Sequence, residues 1–360
     1  MNTPNPIHPP APFSCTYSPN LPELISKLNC TLAISTYQAG KVIFISAVDD
    51  NQLIQLPRNF KKAMGMAVKD HQLAVATKDE VVILGNAPGL APNYPPQPNT
   101  YDGLYVPRAK YYTGEVDLHD MEWGEKGLYA VNTRFSCISL INNKYSFEPV
   151  WQPHFITDLD PIDRCHLNGM VMQNGQPKYV TALGVSNQEK GWRPSVETGG
   201  VLMDVESNEF ILKGLAMPHS PRIFDGEVYA LLSATGELIK VDVSKGTYEV
   251  IAAFDGFLRG MDKIGDYLFI GLSKLRQNSS TFRDLPIAKK ALSSGIQVLH
   301  LPTGAVVANL TYQASVEELY DVKMLNGFRR PGVLGVDRDE HRRALVTPTD
   351  NYWSEPSEDQ

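Results

Sequence analysis

The amino-acid sequence predicts an all-β protein, specifically a six-bladed β-propeller closed by pairing of N-terminal strands with the C-terminal blade. Short runs rich in Val, Ile, Leu, Phe and Tyr recur along the chain, and turn residues such as Gly, Asn and Asp bound them, as is typical of antiparallel strands. A weak internal repeat of these runs is the second indication. The third is a group of N-terminal strands that has no inner strand of its own.

The repeat consists of one strand pattern, a turn and a second strand pattern. In its first unit, residues 64–67 are followed after a turn by the strand pattern at 73–75. The six units start at Met64, His119, His166, His219, Arg259 and Tyr320. Successive starts lie 40 to 61 residues apart, which is the length of a four-stranded propeller blade with variable loops. Six units therefore predict six blades.

The two ends of the chain indicate how the ring closes. Three predicted strands, at 31–36, 41–46 and 52–56, precede the first unit, whereas the last unit has no outer strands after about residue 335. Pairing these N-terminal strands with the last inner strand would complete one blade and remove its exposed edges. We therefore expect a closed ring.

The predicted domain organisation follows from this closure. We expect an N-terminal extension at 1–29, one propeller domain at 30–346 and a C-terminal tail at 347–360. Only two segments have helical patterns, at 21–28 within the extension and at 287–292 within a loop. The chain should thus contain a single folded core.

Charge and composition exclude several classes of function. The 360 residues carry a formal net charge of −7, from 33 Lys and Arg against 40 Asp and Glu, and no Lys/Arg run suited to phosphates appears, so we expect no nucleic-acid partner. There is no signal-peptide pattern and no apolar run long enough to span a membrane. The four cysteines show no CxxC spacing. We predict a cytoplasmic protein with reduced thiols and no membrane partner.

Three histidines stand at or near the starts of inner strands, and a closed ring would point these starts at one axis. They are His119, His166 and His219. Three neutral imidazoles with an open coordination position suit Fe, Mn, Zn, Cu or Ni, so we predict a divalent transition metal there. His166 has a different register from His119, because it lies two residues before Asn168-Gly169-Met170 whereas His119 lies two residues before Met121. The alternative for each histidine is a hydrogen-bonded structural role.

Arginines near the same axis indicate an anionic substrate. A guanidinium on an inner strand is costly to bury unless an acid or an anionic ligand pairs with it, so Arg222 and Arg259 bind either structural carboxylates or substrate. Asp120 is the predicted catalytic residue, as a base or as a group that orients a ligand imidazole. The predicted substrate-binding residues are Arg134, Asn168, Trp192, Arg193, Arg222, Arg259, Arg276, Tyr320 and Asp321. We expect a small anionic molecule or a modified peptide as the ligand.

Several segments also resemble a known group of proteins. The chain resembles a bacterial family of conserved hypothetical β-propeller proteins, catalogued as a domain of unknown function. The segments that carry the resemblance are 32–41, 119–121, 131–137, 163–169, 179–184, 191–193, 217–222, 271–273 and 280–282. The resemblance implies a propeller fold without an established activity, and it implies that the strand starts and the loops beside them are the motif-rich part of the chain.

Two functional hypotheses follow from these patterns. The first is a metal-dependent enzyme of the lyase, isomerase or oxygenase type that acts on a small anionic substrate in the central pocket. The second is a non-catalytic propeller that binds a peptide or a partner protein on the face carrying the strand starts. Under the second hypothesis the histidines form only a hydrogen-bonded plug.

Overall fold

The structure is a computed structural model that describes residues 10–275, 281–290 and 292–355. In chain order its first strands are β1 (Cys15–Tyr17), β2 (Cys30–Thr36), β3 (Lys41–Ala47), β4 (Leu53–Asn59), β5 (Met66–Lys69), β6 (Gln72–Ala76), β7 (Glu80–Asn86), β8 (Gly103–Tyr112), β9 (Leu118–Gly124), β10 (Gly127–Asn132), β11 (Cys137–Ile141), β12 (Glu148–Trp151), β13 (Leu167–Gln173) and β14 (Gln176–Ala182).

The second half continues the pattern. Its strands are β15 (Gly200–Asp204), β16 (Phe210–Leu215), β17 (Pro218–Phe224), β18 (Glu227–Leu232), β19 (Glu237–Asp242), β20 (Thr247–Ala253), β21 (Phe257–Ile264), β22 (Tyr267–Ser273), β23 (Gly295–His300), β24 (Ala305–Tyr312), β25 (Asp321–Asn326), β26 (Pro331–Val333), β27 (Ala344–Val346) and β28 (Asn351–Trp353). The helices are α1 (Leu21–Leu28) and α2 (Glu340–Arg343), with 3₁₀ turns at Pro88–Asn93, Arg193–Ser195 and Pro286–Lys289.

These strands form a six-bladed β-propeller, so the predicted fold class is confirmed. Blades 1 to 5 are built from four consecutive strands each, starting at β5, β9, β13, β17 and β21. Blade 6 contains β25 as its inner strand and β2, β3 and β4 outside it. The inner strands contact one another in this order around the ring, and β25 of blade 6 contacts β5 of blade 1.

The N-terminal and C-terminal ends meet in blade 6, as the sequence predicts. Strand β2 pairs antiparallel with β25, and Ile34 lies opposite Val322 in the register. Every residue of β2 is buried, because this strand has a neighbour on each side and the adjacent blades cover its two faces. The ring thus closes through hydrogen bonds between segments almost 290 residues apart.

Additional strands cover the outer edges of two blades. Strand β1 pairs with β24 at the edge of blade 5, and β26 pairs in parallel with β8 at the edge of blade 1. The α1 helix buries Leu21 and Ile25 in the core shared by blades 5 and 6. The N-terminal segment is therefore packed onto the propeller, while the predicted boundary after residue 346 falls inside the β27–β28 hairpin. The domain division itself stays a prediction.

The second helix expected from the sequence is shorter than the pattern indicates. Only the 3₁₀ turn at Pro286–Lys289 forms there, and residue 291 lies outside the described part of the chain. Ile287 is fully buried against the loop that carries Trp192, so a single anchoring contact explains the apolar pattern. Among the helices of the described residues, none has the length and apolar character needed to cross a membrane.

A repeated hydrogen bond joins neighbouring blades close to the axis. A hydroxyl at the end of the second strand of one blade donates to a backbone carbonyl at the start of the next inner strand. The four pairs, donor first, are Thr133 to Leu167, Ser233 to Leu258, Ser273 to Leu319 and Ser35 to Met64, at 2.6, 2.6, 2.9 and 2.6 Å. Each carbonyl belongs to the residue just before an axis-facing position, so these bonds fix where the strand starts lie.

The closing blade should carry a large share of the stability. Replacing Ile34 by Ala leaves a cavity at the β2–β25 pair, and we expect it to lower the free energy of unfolding by about 3 kcal/mol. Val250→Ala on the exposed outer strand β20 is the control and should cost less than about 1 kcal/mol. Urea unfolding followed by circular dichroism measures both. Equal losses in the two variants would contradict a closure that depends on β2.

Candidate functional site

The starts of the inner strands surround a narrow axial chamber. Its walls are His119, Asn168, His219, Arg259 and Tyr320, and its volume is about 10 Å³. Each of these residues lies within two positions of the first residue of an inner strand. The five residues therefore occupy equivalent places in blades 2 to 6. Below them, the chamber is lined by Asp120, Ser220, Arg222 and Asp321.

A larger cavity of about 460 Å³ lies above the chamber and opens to solvent. His119, Arg259 and Tyr320 line both spaces, so they form the floor of the cavity and the ceiling of the chamber. The walls come from the strand starts and from loops on the same face; they include Tyr37, Arg134, Asp163, His166, Trp192, Arg193, Phe257, Lys274, Phe282 and Glu318. This volume is in the usual range for small-molecule pockets.

His119 and His219 are anchored in the same way. Nδ1 of His119 contacts the carbonyl of Asp117 at 3.0 Å and the hydroxyl of Thr133 at 2.7 Å. Because the single hydroxyl proton of Thr133 is donated to Leu167, its oxygen must accept from His119. Nδ1 of His119 is therefore protonated, and its Nε2 has a free lone pair.

The second imidazole repeats this arrangement two blades further on. Nδ1 of His219 donates to the carbonyl of Met217 at 3.0 Å and to the hydroxyl of Ser233 at 2.8 Å, while that hydroxyl donates to Leu258. Residues Asp117 and Met217 both have positive φ, of 54° and 53°, which turns their carbonyls toward the imidazoles. The pair shows that the sequence repeat extends to the hydrogen bonds around each histidine.

His166 does not occupy an equivalent position. It lies just before β13 with a φ of 52°, and Asn168 takes the axis-facing place in blade 3. Its ring nevertheless lines the upper cavity and contacts the His119 ring, with centroids 4.9 Å apart. The register difference seen in the sequence is therefore real, and it places His166 above the chamber.

A carboxylate orients His166. Nδ1 of His166 lies 3.0 and 3.1 Å from the two carboxylate oxygens of Asp163, and one of these oxygens also accepts the indole N–H of Trp192 at 3.0 Å. The Trp192 ring packs on His166 with centroids 4.4 Å apart. The three imidazoles thus all hold Nδ1 in a hydrogen bond, which leaves Nε2 as the nitrogen that could bind a proton or a metal ion.

The buried imidazoles are held in their neutral form. Burial lowers the pKa of His119 well below 6.5, and electrostatic interactions with His166 and with the guanidinium of Arg259 act in the same direction. Burial also lowers the pKa of His219 well below 6.5, again with a contribution from Arg259. Neutral imidazoles can accept protons or bind metal ions at neutral pH.

Arg259 is the cation at the floor of the cavity. Its Nη2 donates to Nε2 of His219 at 3.3 Å, and its guanidinium lies 4.4 Å from the centre of the Tyr320 ring. Its Nε is buried and has no hydrogen-bond partner. Within residues 10–275, 281–290 and 292–355, no carboxylate forms an ion pair with it. Among the residues that the structure describes, its contacts are with the His219 imidazole and with aromatic rings.

Arg222, in contrast, is fully compensated below the chamber. Nη1 lies 2.9 Å and Nη2 3.3 Å from the Asp120 carboxylate, and Asp321 lies 3.7 Å from Nη2. Burial alone would lower the pKa of Arg222, but these carboxylates raise it overall. Asp120 also accepts the backbone N–H of Met170 from the next blade. Asp120 and Arg222 are thus part of a buried ion network, and the catalytic role of Asp120 stays a prediction.

The structure places the remaining predicted residues as follows. Trp192 is buried in the cavity wall, and Arg193 and Arg134 are exposed at its rim. Arg276 lies outside the described residues. Basic and acidic side chains both stand at the rim, where Lys190 pairs with Glu189 at 2.9 Å. The described residues that line the cavity above its floor carry four cations and four carboxylates, so the net formal charge of the lining is that of Arg259.

The family of the chain follows from a family model. The model described as "Domain of unknown function (DUF4915)" matches residues 19–334. The chain belongs to the DUF4915 family. No curated protein matches its sequence.

One solved structure has a fold similar to that of this DUF4915 chain, and a second is less similar. A chain in "Crystal structure of Nidogen/Laminin Complex" has a TM-score of 0.53 and 9% sequence identity, covering 83% of this chain and 99% of that chain. "Structure of the Neurospora crassa Pan2 WD40 domain" has a TM-score of 0.39 and 14% identity, covering 68% and 64% respectively. The first similarity concerns the fold alone.

The structure brings together only some of the residues of the predicted metal site. The imidazoles of His119 and His166 adjoin each other, but Nε2 of His219 accepts a hydrogen bond from Arg259. In the part of the chain that the structure describes, no group of three His, Cys, Asp or Glu is arranged to hold a metal ion. Metal binding by the DUF4915 domain therefore stays a prediction.

Sequence reasoning missed several residues of the site. Thr133 and Ser233 each follow an axial histidine by 14 positions, and Ser273 follows Arg259 by the same distance, so this spacing was a readable signal. Asp163, three residues before His166, could have been found as its carboxylate partner. The aromatic rings of Tyr37, Phe257 and Phe282 had no periodic signal, because they enter the cavity from a strand end or from loops.

The depressed pKa values of His119 and His219 predict acid sensitivity. The unfolded state binds protons on these imidazoles near pH 6.5 and the folded state does not, so the stabilising contribution is complete above pH 6.5 and is lost as pH falls. For metal-free protein, we expect the free energy of unfolding to fall by about 1 kcal/mol per pH unit and per histidine below that pH.

Urea unfolding between about pH 7 and pH 5 measures this slope. His219→Asn should reduce it, whereas His71→Asn, which changes an exposed turn residue, should leave it unchanged. A slope identical in His219→Asn and the parent protein would show that the buried imidazole does not remain neutral.

Proposed function

We propose that the DUF4915 domain is an enzyme that binds a small anionic molecule in the central cavity. The observation that carries this proposal is Arg259, a cation at the floor of the cavity whose charge no described carboxylate neutralises. A partly buried guanidinium without a carboxylate partner is costly, and a bound anion would offset that cost. Arg222, less accessible and fully paired, has no comparable need.

A bound anion would complete the interactions of Arg259. The guanidinium already uses Nη2 on His219, while its Nε has no partner. Arginine binds carboxylates through two parallel N–H donors, and such bonds are stronger when water is excluded. The anionic group of the ligand would therefore lie at the floor, beside Nε2 of His119. This places the bound molecule next to neutral imidazoles that can accept a proton.

The test is direct binding of small anions. Acetate, phosphate and phenylacetate, titrated separately and followed by calorimetry or NMR, should include at least one that binds, and Arg259→Met should weaken that binding at least ten-fold. Arg338→Met, which changes an exposed arginine, is the matched control and should have no effect. Arg259→Met should fold as stably as the parent, because it removes an uncompensated charge. Unchanged affinity in Arg259→Met would overturn the proposal.

We further propose that His119, His166 and His219 hold a divalent transition metal, one of Fe, Mn, Zn, Cu or Ni. Its support is the state of the imidazoles, since each one holds Nδ1 in a hydrogen bond and leaves Nε2 as the possible ligand atom. Binding by His219 requires that Nε2 give up its bond to Arg259. Such a metal would supply Lewis-acid or oxygen-activating chemistry for a lyase, isomerase or oxygenase.

Metal analysis of protein purified without a histidine tag tests this part. After reconstitution we expect about one equivalent of a transition metal, and His119→Ala should lose it. His71→Ala, at an exposed turn, should retain the full amount. Less than about a tenth of an equivalent of any of the five metals in the parent protein would remove the metal from the proposal while leaving anion binding intact.

A second candidate function is a non-catalytic propeller that binds a peptide or a partner protein on the cavity face. The observation that favours it is the similar fold of a chain in a nidogen and laminin complex, which is an assembly of proteins. Absence of both anion and metal binding, together with capture of a defined peptide by this face, would favour it over the enzyme.

We also propose a cytoplasmic location, on the basis of the cysteines. All four are free thiols, and three of them, Cys30, Cys137 and Cys165, are buried. Burial raises the pKa of Cys30 and Cys165 to about 12, so these thiols stay protonated and unreactive. Free thiols are typical of proteins in reducing compartments.

A further inference from the structure

We infer that the ligand of the central cavity is an aromatic carboxylate, with its carboxylate at Arg259 and its ring among the aromatic side chains of the cavity wall. This inference rests on the proposed function, because it assumes that an anion binds at Arg259. The aromatic residues of the wall form what we call the aromatic belt: Tyr37, Trp192, Phe257, Phe282 and Tyr320, together with the rings of His119 and His166.

One side of the aromatic belt is a continuous series of ring contacts. Trp192 contacts His166 at 4.4 Å between centroids, and His166 contacts His119 at 4.9 Å. His119 in turn contacts Tyr320 at 5.4 Å, and Tyr320 stacks on Tyr37 at 5.8 Å. Five rings therefore cover this wall from the loop of Trp192 to blade 6. Such a surface binds planar, apolar groups through ring faces and edges.

The other side is formed by Phe257 and Phe282. Their centroids are 5.9 Å apart at an interplanar angle of 36°, and Phe257 also contacts the ring of His219 at 5.7 Å. Phe257 is anchored by its place in β21, whereas Phe282 enters from the loop between β22 and β23. Trp192 belongs to the same apolar cluster as Phe257 and Phe282, so the two groups of rings adjoin each other at the Trp192 end of the cavity wall.

Arg259 lies between the two sides of the belt. Its guanidinium is 4.4 Å from the Tyr320 centroid and 5.8 Å from the Phe257 centroid. A guanidinium stacked on an aromatic ring still presents its N–H groups at its edge, where a planar carboxylate can pair with it. The anionic end of a ligand is therefore directed to the floor, and the rest of the molecule must lie against the rings.

The charge distribution favours a single carboxylate over a phosphate group. Among the described residues that line the cavity, Arg259 is the cation at the floor, while the others stand higher on the wall. The wall carries four further cations, Arg134, Lys190, Arg193 and Lys274, and four carboxylates, Asp117, Asp163, Glu189 and Glu318, so the formal charges of these described wall residues balance. A dianion would leave part of its charge uncompensated in a desolvated space. A monoanion with a planar apolar body matches both the floor and the walls.

A matched pair of ligands tests this inference on the full-length protein. Phenylacetate and cyclohexylacetate have the same charge and the same number of carbon atoms, but only phenylacetate has a planar aromatic ring. By calorimetry or NMR titration we expect phenylacetate to bind about ten-fold more tightly, because it stacks on several rings. Phenylacetamide, which lacks the charge, and phenyl phosphate should both bind more weakly than phenylacetate.

Variants locate the effect in the aromatic belt. Phe282→Leu, at a partly exposed wall position, should reduce the preference for phenylacetate over cyclohexylacetate several-fold. Tyr248→Leu, at an exposed position on β20, is the control and should leave the preference unchanged.

The outcomes separate this inference from the function on which it rests. Equal affinities for phenylacetate and cyclohexylacetate, both dependent on Arg259, would overturn the aromatic specificity and leave the anion site standing. Tighter binding of phenyl phosphate, or of benzyltrimethylammonium, would also overturn it, since the site would then select a different charge. If no anion binds, the inference fails together with the proposed function.

Discussion

A hydrogen bond from a hydroxyl at the end of one strand to a carbonyl at the start of the next inner strand joins neighbouring blades and positions the side chains at the axis. In blades 2 and 4 the same hydroxyl also accepts the Nδ1 proton of an axial histidine, as Thr133 does for His119. One short side chain therefore joins two blades and fixes an imidazole tautomer. Because its only proton goes to the carbonyl, the orientation of the histidine follows from the geometry of ring closure.

Two arginines near the axis differ in how the surrounding residues compensate their charge. Arg222 is held by Asp120 and lies near Asp321, so its cost of desolvation is offset within the protein. Arg259 has no carboxylate partner among the described residues and contacts His219 and the rings of Tyr320 and Phe257, and its charge also disfavours protonation of both axial histidines. Both arginines come from inner strands, so position along the strand alone does not distinguish them. The distribution of carboxylates does.

The sequence predicted the ring but only part of its centre. Strand starts recurring at blade-length intervals and unpaired N-terminal strands were enough for six blades and for closure through β2 and β25, because both depend on local patterns and on the need to remove strand edges. The difference in register between His166 and His119 was also visible in the sequence. The compensation of Arg222 by Asp120 was an open alternative, since pairing between blades depends on side-chain directions across the axis. Trp192 was expected from a long loop, but its contact with Asp163 was not, because loop conformation has no period.

The site therefore combines two kinds of structural control. Its floor comes from inner strands, whose positions are fixed by the closed ring, and this floor supplies Arg259 and the axial imidazoles. Much of its wall comes from loops, which supply Trp192 and Phe282 and are not constrained by the repeat. Changes in those loops can alter the shape and polarity of the wall without disturbing the ring, whereas changes at the floor also affect contacts between blades. If the cavity binds an anion as we propose, recognition of its charge would depend on the fold itself, and selectivity for the body of the ligand would depend on loops that can vary independently of the fold.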